Sequence, residues 1–141
     1  MTTIADETAR AKAIVRSFYD GGARGSITDF ATQLDEGFEL FVPAYLPWGG
    51  EFDKAGYIAL LPSVVDVLDF PRLDYLSFTG EGGHVVALIE IGVKGTEKSI
   101  IISEHWDIAH DKAVRLRVVY FDPKILLDQI ARKAREDDFV A

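Results

Sequence analysis

The chain contains no cysteine. That excludes disulfides, thiolate metal sites and a cysteine nucleophile, although it leaves the redox compartment open. Its three histidines fall in neither a His-x-His nor a His-Glu-x-x-His spacing, so no metal site is expected. Basic charge is scarce: 15 Lys and Arg stand against 23 Asp and Glu, for a net charge of −8. Nucleic acids and anionic membrane surfaces attract basic patches, so neither is an expected partner. Arg132, Lys133 and Arg135 form a basic cluster, but Glu136, Asp137 and Asp138 follow it, as on a solvated helix end. No apolar run reaches membrane-spanning length. The first residues lack the basic segment and apolar stretch of a secretory signal, which makes a cytoplasmic location the expectation. Gly21-Gly22 and Gly49-Gly50 lack the Lys and Ser or Thr of a phosphate cradle and read as turn residues. No cofactor is expected.

What is present suits a folded core. Hydrophobic residues make up 48% of 141 positions, enough for one domain over residues 1–141. Thr3 can cap a first helix with Asp6 and Glu7 in its first turn and Ile4, Ala11, Ile14, Val15 and Phe18 as its apolar stripe, ended by the glycines after Asp20. Ser26 and Asp29 suggest a second, short helix carrying Ile27, Phe30 and Leu34. A strand follows over Phe38 to Val42. The loop Pro43 to Phe52 is rich in turn formers yet holds Tyr45 and Trp48, a composition expected at a pocket's border. A helix is expected over Lys54 to Leu68 with a possible kink at Pro62, then a strand over Leu73 to Phe78.

The rest reads as a meander whose register follows from its turns. A two-residue turn at Gly95-Thr96 pairs Ile91 with Ile100, Ile89 with Ile102, Ala87 with Glu104 and Val85 with Trp106. A turn around His110-Asp111-Lys112 pairs Ile108 with Val114, Trp106 with Leu116, Glu104 with Val118 and Ile102 with Tyr120. Both turns put the apolar residues on one face. Glu104 is the lone carboxylate there, among Ile100, Ile102, Trp106 and Ile108. Burying an ionised acid is costly, so such a group neutralises, finds a donor or faces a ligand cavity. Small Ala87 beside it leaves volume that a ligand or a packed helix would fill. The opposite face carries His84, Glu90, Ser103, His105, Asp107, Arg115 and Arg117, with Asp107 across from both His84 and Arg115. Asp122, before Pro123, reads either as a pocket-facing base by parity with Val118 and Tyr120 or as the cap of a last helix ending near Arg135.

The order of these elements, the run Leu46-Pro47-Trp48-Gly49-Gly50-Glu51-Phe52 and the segments Glu104-His105-Trp106 and Tyr120-Phe121-Asp122 together resemble SnoaL-like and ketosteroid-isomerase-like proteins of the nuclear transport factor 2 superfamily. The resemblance covers nearly the whole chain. It implies a cone-shaped α+β barrel, with three N-terminal-half helices packed on a curved, mostly antiparallel sheet and a short C-terminal helix. It also implies a deep apolar pocket and a homodimer through the outer sheet face. In ketosteroid isomerases the Glu104 position holds a protonated Asp that donates to an oxyanion. The first-helix Tyr that completes the oxyanion hole falls at Phe18, and the general-base Asp falls near Val42. Neither side chain supports that mechanism. Asp122 resembles the late Asp of epoxide hydrolases and cyclases, but Ile89 and Ile91 lie where the hydrolases use an Arg and a second Asp.

The functional expectation is a SnoaL-like protein binding a small hydrophobic or aromatic carbonyl compound, with isomerisation, cyclisation or hydration by acid–base chemistry within reach. Glu104 and Asp122 are the candidate catalytic residues. Phe18, Val42, Tyr45, Trp48, Ala87, Ile89, Ile102, Trp106, Val118 and Tyr120 are the candidate ligand contacts. The alternative is a non-enzymatic ligand carrier or dimerisation module of the same fold.

Overall fold

A computed structural model describes residues 2–24 and 31–140. The element order is α1 (Ile4–Arg24), β1 (Leu34–Val42), β2 (Gly50–Phe52), α2 (Lys54–Val65), β3 (Leu68–Glu81), β4 (His84–Val93), β5 (Ser99–Ala109), β6 (Lys112–Tyr120) and α3 (Lys124–Val140). The six strands form one curved sheet in the order β2-β1-β6-β5-β4-β3. Only β1 and β6 pair in parallel; the other neighbours are antiparallel. α1 packs chiefly on β3 and α2 on β1, so the two helices cover the apolar face of the sheet.

α1 passes through Gly21 and Gly22 instead of stopping before them, and both glycines are buried. A Cβ on Gly22 would lie 2.7 Å from the Phe70 ring, so glycine there permits close approach of helix and strand and is not a helix stop. The short helix expected around residues 26 to 34 falls mostly outside the described residues; 31–33 are helical and Leu34 already begins β1. β1 therefore starts four residues before the expected Phe38. The polar run Asp35-Glu36-Gly37 hides that start, because Asp35 accepts from the Gly37 backbone N–H at 2.8 Å and the β1–β6 register shifts between Leu34 and Glu39.

Gly50 to Phe52, expected as loop, hydrogen-bonds back to Leu40 to Val42 as β2. Two features make that reversal. A Cβ on Gly49 would collide with the Pro43 carbonyl oxygen, and Gly50 adopts φ +126°. α2 opens with Asp53 accepting from Gly56 N–H at 2.8 Å, a side-chain cap. It runs through Pro62 and ends at Val65, so Leu68 belongs to β3 and not to the helix. β3 is longer than the expected Leu73 to Phe78. Pro71 lies within it without penalty because β3 is an edge strand and its register shifts between Asp69 and Leu73.

The β4–β5 register is the one expected, with Ala87 opposite Glu104 and Val85 opposite Trp106. The turn itself differs. Val93 N–H donates to the Lys98 carbonyl and Thr96 N–H to that of Val93, so the loop holds four residues, with Gly95 at φ +80°. Two residues at the tip of a four-residue loop leave the same strand partners facing each other. The β5–β6 turn places His110 and Asp111 at φ 53° and 61°, the left-handed pair of a type I′ hairpin. Trp106–Leu116, Glu104–Val118 and Ile102–Tyr120 pair as expected, but a bulge sets Ile108 against Ala113 instead of Val114. α3 spans 17 residues and is not short. Among the described residues no helix is long and apolar enough to cross a membrane.

Candidate functional site

Alternation along β5 aims Glu104 and Trp106 toward the helices. Trp106 is 1% exposed and stacks on Phe18 of α1 with ring centroids 4.7 Å apart. That stack fixes the rotational phase of α1, and the next residue, Tyr19, then points at β5. The Tyr19 hydroxyl donates to Glu104 Oε1 at 2.6 Å, and the Trp106 indole N–H donates to the Tyr19 oxygen at 3.0 Å. An ordered chain from indole to phenol to carboxyl results, across 85 residues of sequence.

Glu104 lines a cavity with about 60 Å³ of space open to the centres of water-sized molecules. That is room for a few waters or a small organic group. Nine of the expected residues line it. From the sheet come Val42, Ile89, Ile102, Glu104, Trp106, Val118 and Tyr120; Phe18 comes from α1 and Trp48 from the loop after β1. Three expected contacts do not line it. Tyr45 is about half exposed, with its hydroxyl 3.5 Å from the Tyr120 carbonyl oxygen. Ala87 is fully buried between Phe78 and Glu104. Asp122 is exposed and its side chain accepts from Lys124 N–H at 3.1 Å. Parity fails for Asp122 because β6 stops at Tyr120 and the chain turns out into α3.

Burial raises the Glu104 pKa to about 7, with Tyr19's hydrogen bond opposing the rise. Desolvation likewise pushes up the Tyr19, Tyr57 and Tyr120 hydroxyls, and the nearby Glu104 charge adds to each shift. Trp48 hydrogen-bonds the Tyr120 hydroxyl and opposes that residue's shift. Glu104 is the one acid among the described lining residues, and no Lys, Arg or His accompanies it. Near neutrality it therefore exists in both protonation states, where a group both gives and takes a proton readily. Among the described residues no three His, Asp or Glu side chains converge as a metal site would require.

Tyr19 and Tyr57 were not expected. Helical spacing carries the signal for both: Tyr19 lies four residues after Val15 and eight after Ala11, and Tyr57 four before Leu61, all of them buried. The sheet's other face holds His84 and His105 as expected. His84 Nδ1 lies 2.8 Å from Asp107 Oδ1, His105 Nε2 lies 3.0 Å from Ser103 Oγ, and Arg115 lies 3.6 Å from Asp107.

No protein-family profile matches the chain, and no curated protein matches it by sequence. Solved structures do resemble it. An NTF2-like protein from Burkholderia xenovorans LB400 is 20% identical, with a TM-score of 0.65 over 80% of this chain and 90% of that one. TerC, co-crystallised with polyporic acid, is 21% identical, with a TM-score of 0.71 over 84% and 96%. A protein provisionally named a ketosteroid isomerase, from Kribbella flavida DSM 17836, is 12% identical, with a TM-score of 0.66 over 82% and 81%. The fold of this chain is the α+β fold of the NTF2-like proteins.

Proposed function

We propose that the cavity binds a small apolar molecule bearing a carbonyl oxygen, with that oxygen at Glu104. The observation that carries the reading is a lone carboxyl, held by Tyr19 at 2.6 Å, in a cavity otherwise apolar and aromatic. Such a cavity selects for neutral, ring-bearing compounds, and its single acid, with tyrosine hydroxyls beside it, orients them. In its acid form Glu104 donates to the carbonyl oxygen and stabilises the negative charge that grows there on enolisation or addition. Isomerisation, cyclisation and hydration all begin with such polarisation. TerC's crystallisation with polyporic acid supports a small organic ligand for a cavity of this fold.

A non-enzymatic carrier is the second reading, favoured by one observation: the described lining residues offer no second carboxylate to serve as base. Under either reading the outer sheet face pairs two copies of the chain. Exposed Ile101 and Val119 lie there beside interleaved charges of both signs, as a self-complementary two-fold contact requires.

Both tryptophans line the cavity, so their fluorescence reports its occupancy. Titration with 2-cyclohexen-1-one is expected to quench saturably, with affinity falling as pH rises through about 7, where Glu104 ceases to be a donor. Glu104→Gln keeps a donor at every pH, so it should bind the enone without that pH dependence. Linear, unsaturable quenching would sink the binding site. The same pH dependence in Glu104→Gln would sink the role of Glu104.

A further inference from the structure

Tyr19 could orient its hydroxyl in more than one way, and only one of them donates to Glu104. The Trp106 indole N–H is a donor only, and it reaches the Tyr19 oxygen at 3.0 Å from a side chain that is 1% exposed. With an acceptor site of Tyr19 already taken, the phenol's own proton is directed to the Glu104 oxygen 2.6 Å away. We propose that Trp106 is a positioning residue, whose indole N–H holds Tyr19 as an obligate donor to Glu104 and so sets the protonation balance of the cavity's acid.

The stack on Phe18 serves a separate purpose. It packs the ring, with centroids 4.7 Å apart at 17°, and any flat aromatic can do that. The N–H is needed for nothing in the packing; among the described residues its hydrogen bond is to Tyr19. Two consequences of removing the N–H act in the same direction. Tyr19 becomes a weaker donor to the carboxylate, because hydrogen bonds in a chain strengthen one another. It also becomes free to accept a hydrogen bond from protonated Glu104. Both favour the acid form. The groups facing Glu104 from the packed elements are the Tyr19, Tyr57, Tyr75 and Tyr120 hydroxyls, whose pKa values are all pushed up, so they stay neutral while Glu104 titrates.

The significance of this for a ligand rests on the proposed carbonyl-binding reading, but the test needs no ligand. The Glu104 carboxyl carbon is followed by 13C NMR against pH in protein labelled at glutamate, with Glu104→Gln identifying its signal. Trp106→Phe is expected to increase the Glu104 protonation constant about two- to threefold, since one neutral donor is lost from a cooperative chain. In a Tyr19→Phe background the same substitution should change it by less than half that, because the link is already gone. Replacing Trp106 by 3-benzothienylalanine, with Trp48→Phe to leave a single site, keeps ring size and removes only the N–H. It should reproduce the shift even where Trp106→Phe folds poorly. An unchanged midpoint, or an equal shift with and without Tyr19, would overturn the positioning role and reduce Trp106 to packing. Loss of enone binding with an intact two-residue coupling would overturn the ligand reading alone.

Discussion

One strand carries two acids in opposite circumstances. Glu104 faces the helices, where its partner is the Tyr19 phenol and its lining neighbours carry no positive charge. Asp107, three residues on, faces outward between His84 at 2.8 Å and Arg115 at 3.6 Å. One strand thus gives a carboxyl whose pKa rises to about 7 and one held by His84 and Arg115 in contact with water. The difference teaches that the inner acid is costly to ionise and useful for that reason, whereas the outer acid stabilises the surface only slightly.

The largest expected effect is on the inner face. The folded-state pKa of Glu104 is raised above its ordinary 4.5, so the native state holds that proton more tightly than the unfolded chain does. The contribution of Glu104 to stability is then largest at low pH, falls between about 4.5 and 7, and is flat above. Glu104→Gln removes this slope. Urea melts at pH 4 and pH 8 should show the variant gaining up to about 3 kcal/mol on the wild type between the two. Equal slopes would mean that Glu104 is solvated, and the contrast would collapse.

Next in size is Tyr19→Phe. It removes the donor that favours the carboxylate and leaves the buried Trp106 N–H without its acceptor, at a cost of about 1–3 kcal/mol. The Glu104 midpoint should also move above about 7; chemical denaturation and the carboxyl titration check the two parts. Smallest is Asp107→Asn. Exposed ion pairs contribute about 0–1 kcal/mol, so melting should shift little, and the pH dependence of enone binding should stay as in the wild type. A changed binding profile in Asp107→Asn would show that the two faces are electrostatically coupled.

Much of this arrangement was legible before folding. The alternation Ile100, Ile102, Glu104, Trp106 and the hairpin turns set Glu104 between Ala87 and Val118, and the structure has those pairs. The register survived a mistaken turn length because the four-residue loop is centred on the same two residues, Gly95 and Thr96, as the expected two-residue turn. Where the pattern is interrupted it misled: Asp35 to Gly37 masked the start of β1, and the glycines after Asp20 mimicked a helix end.

The sequence by itself determined the sidedness of the sheet, because side-chain direction in a strand is a local, two-residue property. It determined too that one acid would lie on the apolar side. Tertiary structure decided what that acid meets. Whether Phe18 or Tyr19 reaches Glu104 depends on the rotation of α1, and the Phe18–Trp106 stack sets that rotation. Likewise Asp122 loses its place in the cavity where β6 ends and the chain leaves the sheet for α3. Neither outcome is written in spacing along the chain, because each depends on how an entire helix or strand end sits against partners distant in sequence.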